Sequence, residues 1–426
     1  MRILWVKAGK LLPVDTGGKI RSYYLLRHLA GRHEVTLVSY YGGASDREYE
    51  TEIVRCFPRA IPVHTAAPES AAPTALHYVR HLFSQVPYAV TKFTSPAVRR
   101  LIADACHERR VDVAVCDFLS ASLNFPTSMT TPSVLFQHNV ESVLWRRQAA
   151  HERNVIKRAA FAIEAARMDR YERATVRRFS QVIAVSERDR DEMTRMVDPS
   201  RITVVPTGVD VDQYRAAAGS TAVNPIVMFL GSMDWEANVD AVDYFCRDIW
   251  PTVKAAVPAA RFRIVGRNPH PRVLRLACDS VEVTGGVASV VDHLRSAAVV
   301  VVPLRIGGGT RLKIFEAMAA GRTVVSTSVG AEGLDVRDGH DILLADEPPR
   351  FAGLVIDLLR DVGKRQRIEA AAANLAAGYD WSVVSRQFEA VLFRAVDRPS
   401  VSEPLHAAPL EDAAAGVQRH HASDVT

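Results

Sequence analysis

Residues Pro303 to Gly333 read PLRIGGGTRLKIFEAMAAGRTVVSTSVGAEG. An apolar run, Val299–Val302, enters this stretch, and a second, Thr323–Ser326, lies near its end. Between them stand a three-glycine turn (Gly307, Gly308, Gly309), then Thr310, then a helical segment carrying Arg311, Lys313 and Glu316. The pattern is strand, glycine turn, helix, strand, the repeating unit of a parallel α/β sheet. Glycines let the backbone approach a ligand closely, and a helix start offers unpaired N–H groups and the positive end of a dipole. Two cations at that end suit a phosphate or diphosphate. Glu316 follows Lys313 by three residues, so the two are neighbours on one helix face, where a carboxylate can accept hydrogen bonds from sugar hydroxyls. The competing reading is a structural turn beside an ordinary surface pair.

Outward from this unit, short apolar runs alternate with helical stretches. Ile3–Val6, Glu34–Ser39, Val111–Cys116, Ser133–Gln137, Gln181–Ala184 and Ile202–Val205 read as strands of a first sheet. Helices are expected at Gly18–Ala30, at Pro96–His107 and, as one long element, over Trp145–Phe179. The pattern then restarts: Ile226–Gly231, Arg261–Val265, Val281–Val283, Val299–Val302, Thr323–Ser326 and Ile342–Leu344 read as a second sheet, with helices at Asn238–Trp250, Thr310–Ala320 and Trp381–Val396. Such alternation predicts doubly wound α/β domains with parallel sheets. The 426 residues exceed one ordinary core, so two Rossmann-like domains of about 200 residues each are expected. The expected boundaries are 1–210 for the first domain, 211–225 for a small-residue linker, 226–380 for the second domain and 381–396 for a terminal helix. Residues 397–426 lack periodicity and are expected to be disordered. Ligands of such domains bind at the carboxyl ends of the strands, so two domains facing one another would form a single cleft.

Composition narrows the chemistry. The formal charge is +5, but there are no lysine runs and no basic-plus-aromatic pattern of the kind that stacks bases, so no nucleic-acid partner is expected. The five cysteines form no C-x-x-C pair and have no clustered histidines; neither a disulfide framework nor a zinc site is expected, and a reducing cytoplasm fits. The apolar run in MRILWVKAGK reads as a first strand rather than a signal peptide, and no apolar run is long enough to span a bilayer. The arginine-rich segment from Arg146 to Arg178 is read first as a solvated helix face with internal ion pairs, and second as a peripheral contact with the anionic inner membrane surface.

Further motifs sit at strand ends. Asp15-Thr16-Gly17-Gly18-Lys19-Ile20-Arg21 is a second glycine turn opening a helix, without the G-x-G-x-x-G spacing of a dinucleotide site. In Gln137-His138-Asn139-Val140-Glu141, His138 ends a strand; a neutral imidazole can hydrogen-bond a sugar hydroxyl, with Glu141 or Asn139 orienting it. Ala184-Val185-Ser186-Glu187 reads as a helix start capped by Ser186, and Val204 to Asp210 as a structural turn. The strings Asp189-Arg190-Asp191 and Asp210-Val211-Asp212 are taken as surface residues, and no metal site is expected.

The order of these pieces resembles the retaining glycosyltransferases of family 4 (group 1), which have the GT-B architecture. The early Gly-Gly turn, the His138 strand end, AVSE, VVPTGVD, the strand ending at Gly231, the Pro303–Gly333 unit and the helix YDWSVVSRQFEAVL carry the resemblance, over roughly residues 1 to 396. The stretch from Gly231 to Asp240 looks closest to sugar transferases of exopolysaccharide and exosortase-associated systems. The resemblance implies a GT-B fold: an N-terminal acceptor domain, a C-terminal nucleotide-sugar donor domain and a last helix crossing back to the first. It implies retaining transfer from a nucleotide diphosphate sugar to a hydroxyl acceptor (glycan, lipid-linked or small molecule), with no metal or other cofactor. By position, Gly17, Gly18, Gly307, Gly308, Gly309 and Thr310 would lie against the donor, His138 would contact the transferred sugar, Arg311 and Lys313 would neutralise the diphosphate, and Glu316 would hold the ribose. The family often carries a glutamate eight positions before the one matched by Glu316; here that position is Gly308, which bears on sugar choice. The alternatives are a nucleotide-sugar 2-epimerase on the same architecture and a donor-binding chain without catalysis. An NAD-dependent oxidoreductase fails on the missing fingerprint.

Overall fold

The computed structural model describes residues 1–65, 86–107, 110–152, 154–215, 224–306 and 312–397. The chain divides into two compact units, Met1–Val205 with Phe388–Thr426, and Pro206–Gln387. The expected tail lies outside the described residues apart from Asp397. The stretch read as a linker begins as a short helix, Val211–Arg215, and 216–223 lie outside.

The first unit is built on a parallel sheet of β1 (Arg2–Ala8), β2 (Glu34–Tyr41), β3 (Ala60–His64), β4 (Val113–Asp117), β5 (Ser133–Phe136), β6 (Gln181–Ala184) and β7 (Ile202–Val204), in the order β3-β2-β1-β4-β5-β6-β7. The central strands are buried along their length, as a sheet covered on both faces demands. The order reverses between β1 and β4, the switch point where doubly wound sheets open a crevice. The helix following β1, α1 (Gly17–Ala30), starts beside this point. Where one long helix was read there are two, α2 (Glu141–His151) and α3 (Val155–Val176). Asn154 starts the second: its Oδ1 accepts the Ile156 and Lys157 N–H groups at 3.0 and 3.1 Å, an N-cap in mid-segment. Ser186 likewise caps the helix after β6 through the Asp189 N–H, as its sequence context predicts.

The second unit carries β8 (Ile226–Leu230), β9 (Arg261–Val265), β10 (Val281–Gly285), β11 (Val299–Val302), β12 (Thr323–Ser326) and β13 (Leu343–Leu344), all parallel, in the order β10-β9-β8-β11-β12-β13. Its reversal lies between β8 and β11. Two helices matter for the site, α4 (Glu236–Tyr244) and α5 (Leu312–Ala319). From Pro206 the VVPTGVD turn packs within this unit: the Val209 N–H donates to the Tyr379 carbonyl at 2.8 Å, and a Cβ on Gly208 would stand 2.6 Å from the Trp381 ring.

The last helix, α6 (Trp381–Asp397), passes from one unit to the other. From Phe388 it belongs to the first, where Val391, Leu392 and Ala395 are fully buried. Phe388 stacks on Trp5 at 5.3 Å and meets Phe136 edge-on at 5.2 Å. Truncating so large a buried ring leaves a cavity, so Phe388→Ala is expected to destabilise the first unit by about 3–5 kcal/mol. Denaturant unfolding followed by near-UV circular dichroism measures this; a loss below about 1 kcal/mol would show that the helix is not part of that core.

Candidate functional site

At the switch point of the first sheet, Lys7 of β1 stands in register with Asp117, the last residue of β4. Both are buried, and their Nζ and Oδ2 atoms are 3.3 Å apart. Lys7 Nζ also donates to Ser22 Oγ of α1 at 3.2 Å, and Trp5 Nε1 donates to Asp117 Oδ2 at 3.0 Å. His138 follows β5, and its Nε2 lies 2.7 Å from Asp117 Oδ1. Arg21 of α1 places Nη1 3.0 Å from His138 Nδ1 and 3.3 Å from the His138 carbonyl. A guanidinium only donates, so Nδ1 accepts and the imidazole proton resides on Nε2, pointing at Asp117.

Burial governs the charges here. It drives the His138 imidazole down to about 3, with Arg21 and Lys7 adding to the effect and Asp117 opposing it. Burial also lowers the Lys7 ammonium, and brings Arg21 down to about 10. Burial alone would raise the Asp117 carboxyl, but Lys7, His138 and Ser22 outweigh it and hold it well below the usual range. His138 is therefore a neutral ring with both nitrogens engaged inside the protein. Sequence reading gave its orientation to Glu141 or Asn139; the structure gives it to Asp117 and Arg21. Glu141 instead starts α2, where its N–H and that of Ser142 are held by the buried Glu172 carboxylate at 2.9 and 3.0 Å. Burial and Glu172 push the Glu141 carboxyl up to about 7.

Phe118, next after Asp117, has φ 73° and ψ 148°, a region of backbone space that is almost exclusive to glycine. Its ring stacks on the His138 imidazole at 3.7 Å with 5° between planes, and Lys7 Nζ lies 4.6 Å from its centroid. This ring also accounts for one glycine of the early turn: a Cβ on Gly18 would stand 2.5 Å from it. Gly17 begins α1. Both glycines thus stand beside the network, Gly18 in contact with it through Phe118.

In the second unit the neighbouring strands β8 and β9 end in a tight crossing. A Cβ on Gly266, after β9, would stand 1.6 Å from the Gly231 carbonyl after β8, so no side chain fits between these strand ends. Gly231 in turn underlies two polar groups, Asn238 Nδ2 and Lys313 Nζ, at 2.7 and 2.9 Å from where its Cβ would be. Lys313 on α5 donates to Asn238 Oδ1 of α4 at 2.7 Å and lies 4.4 Å from the Phe229 centroid. Asn238 Nδ2 donates to the Ser232 carbonyl at 2.8 Å. One turn along α5, Glu316 accepts the Tyr214 hydroxyl at 2.9 Å; burial raises its carboxyl, with Tyr214 and Lys313 pulling the other way. Lys313 and Glu316 thus sit together at the carboxyl edge of this sheet. Gly307, Gly308, Gly309, Thr310 and Arg311 lie outside the described residues. Among the described residues no group of His, Cys, Asp or Glu is placed to hold a metal ion, and no helix is long and apolar enough to cross a membrane. All five cysteines are free.

Lys7, Arg21, Asp117, Asn238 and Tyr214 were not singled out from sequence. A lysine inside the apolar run of β1 and an aspartate closing the buried β4 were the available signals, because a charge in a doubly covered strand needs a partner.

Known proteins match both units. Residues 16–213 match the family model described as Glycosyltransferase Family 4, and residues 224–361 match one described as Glycosyl transferases group 1. A phosphatidyl-myo-inositol mannosyltransferase of Mycobacterium leprae is 32% identical over 193 residues, 43% of this chain and 51% of that protein. A D-inositol 3-phosphate glycosyltransferase of Kineococcus radiotolerans is 26% identical over 262 residues, 53% of this chain and 59% of its own length. The chain thus spans about half the length of the curated relatives it matches. Among solved structures, the HepE protein of Anabaena in complex with UDP and glucose superposes with a TM-score of 0.61 at 15% identity, covering 92% of this chain and 99% of that one. A glycosyltransferase of Rickettsia africae gives 0.64 at 12%, covering 93% and 99%. The fold is accordingly GT-B, two Rossmann-like units with parallel sheets.

Two outcomes follow from the first network. His138 has a folded value depressed below that of the free side chain, so the unfolded chain binds a proton that the folded one does not. Its contribution to stability is complete above about pH 6.5 and is lost as pH falls toward about 3. Denaturant titrations across that window should show stability falling with acid, and His138→Gln should flatten the dependence; an unchanged slope refutes the neutral-ring assignment. At Phe118, Gly and Ala both remove the ring but only Gly fits the backbone. Phe118→Gly should be more stable than Phe118→Ala by about 1–3 kcal/mol in the same titration, and equal stabilities would show that the backbone is unstrained.

Proposed function

Starting from a chain that carries the two domains of the group 1 glycosyltransferases, we propose that it transfers a sugar from a nucleotide diphosphate sugar to a hydroxyl acceptor, with retention at the anomeric carbon. The observation that carries this reading is the placement of Lys313, held by Asn238, one turn before Glu316, held by Tyr214, on α5. A departing nucleoside diphosphate gathers negative charge, and a cation fixed in advance stabilises that charge at the transition state. Lys313 is fixed: Asn238 and the Phe229 face hold its ammonium over Gly231, where no side chain intervenes. Arg311 would add a second cation, and Glu316, steadied by Tyr214, would bind the ribose hydroxyls. In this reading the charge of the diphosphate is met by side chains of the chain itself rather than by a metal.

His138 enters through its environment. Locked neutral between Asp117 and Arg21, it cannot serve as a proton shuttle without breaking a buried hydrogen bond. Its part would be to shape the sugar pocket, and the departing phosphate itself would assist the incoming hydroxyl in a front-face displacement. The names of the curated relatives, a mannosyltransferase and a glycosyltransferase acting on an inositol phosphate, favour transfer over epimerisation and over binding without turnover. UDP and glucose in the Anabaena structure support a nucleotide-linked donor.

Lys313→Ala and Glu316→Gln should each cut transfer by about a hundredfold or more, while circular dichroism melts stay near wild type. A thermal-shift screen over nucleotides supplies the donor base, since the right ligand raises the melting temperature by mass action. Near-normal turnover in both variants would overturn the site assignment, and donor conversion without any acceptor would overturn transfer in favour of epimerisation.

A further inference from the structure

The α2–α3 pair grows from the carboxyl edge of the first sheet, directly after His138 and Asn139. Its inner faces are joined by Trp145 against Phe161, ring centroids 5.9 Å apart, and by buried Ala165, Met168, Tyr171 and Glu172 farther along α3. That contact fixes which face of α3 looks outward. Over its first three turns the outward face is Val155, Ile156, Ala159, Ala162, Ile163 and Ala166, all exposed. Val155, Ile156 and Ile163 are 66%, 82% and 53% accessible. A surface helix normally turns its polar residues outward; this one turns an apolar stripe roughly 17 Å long to the solvent.

The charges around the stripe share one sign. Arg158 at its side and Arg170 at its far end are exposed, and neither is ion-paired to a described residue. The acidic side chains nearby are engaged elsewhere. Glu164 is buried and binds Arg167 at 2.8 Å, Asp169 binds Arg173 at 2.7 Å, and Glu152 accepts the Asn154 N–H at 2.8 Å. The farther half of α3 is thus the solvated, internally paired helix that its composition predicts, and the nearer half is not.

We propose that the outward face of α3, from Val155 to Arg170, is a docking surface for an anionic lipid bilayer. Val155, Ile156 and Ile163 insert at the boundary of head groups and acyl chains, while Arg158 and Arg170 reach the head groups. An apolar helical stripe bordered by unpaired cations is the arrangement that lies in the plane of a charged membrane. A second copy of the chain is a poorer occupant, because a two-fold contact through this face would bring the same two cations against themselves. The proposal does not depend on the transfer reaction, and its test needs no substrate.

The test is flotation of the full chain with vesicles rich in phosphatidylglycerol and with vesicles of phosphatidylcholine alone. Binding is expected to the first and not the second, and to fall as salt is raised. The double substitution Val155→Asp with Ile156→Asp should weaken binding at least tenfold, as should Arg158→Glu with Arg170→Glu, which should also flatten the salt dependence. Circular dichroism melts within a few degrees of wild type establish that both variants are folded. Failure to float with anionic vesicles overturns the proposal, as does unchanged binding by both variants. Light scattering that shows a dimer lost in the Ile156→Asp variant, without vesicle binding, assigns the face to a second copy instead.

Discussion

Asp117 is a fully buried carboxylate that accepts from an indole, an ammonium and an imidazole at once. Removing such a group from water is costly unless each lone pair finds a donor, and here the donors come from β1 and from His138 after β5. Once Asp117 is satisfied in this way, the rest of the edge has little freedom. Lys7 must turn toward α1 and Ser22, His138 must carry its proton on Nε2, and Arg21 must face the bare Nδ1. Phe118 is left to cover the imidazole, in a backbone conformation that only this tight setting sustains.

The second sheet solves its edge differently. Two glycines, Gly231 and Gly266, let adjacent strand ends touch through backbone alone, which leaves room above them for Lys313 and Asn238. In the first unit polar side chains buried at the switch point shape the crevice; in the second the absence of side chains does. Both devices sit at the carboxyl ends of the strands, the edge of a doubly wound sheet where ligands bind.

Much of this was legible in the sequence, and the omissions have physical causes. Runs such as Val299–Val302 and Gln181–Ala184 are strands because sheets covered on both faces admit only apolar stretches there. β3 escaped because Ala60-Ile-Pro-Val-His carries a proline in its middle; it lies at the sheet edge, where a missing N–H is tolerated. The break between α2 and α3 was hidden by helix-forming residues on both sides, and Asn154 alone marked it. Of the candidate residues, Lys313, Glu316 and His138 stand out in the sequence by motif and position. Lys7 and Asp117 did not, since their meaning arises only when β1 and β4, more than a hundred residues apart in sequence, are laid side by side. Nothing local distinguishes Phe118 from any other aromatic.

The passage of α6 between the units bears on the order of events during synthesis. The first unit comprises residues up to Val205 and again from Phe388, so the second is an insertion within it. As the chain leaves the ribosome, the β1–β7 sheet is made early, yet the partners of Trp5 and Phe136 on α6 arrive only with the final turns. The insert can close its own core first. The unit whose sheet is made first is therefore the one that finishes folding last, and until Phe388 emerges it exposes an aromatic patch that a chaperone must shield or the nascent chain must tolerate.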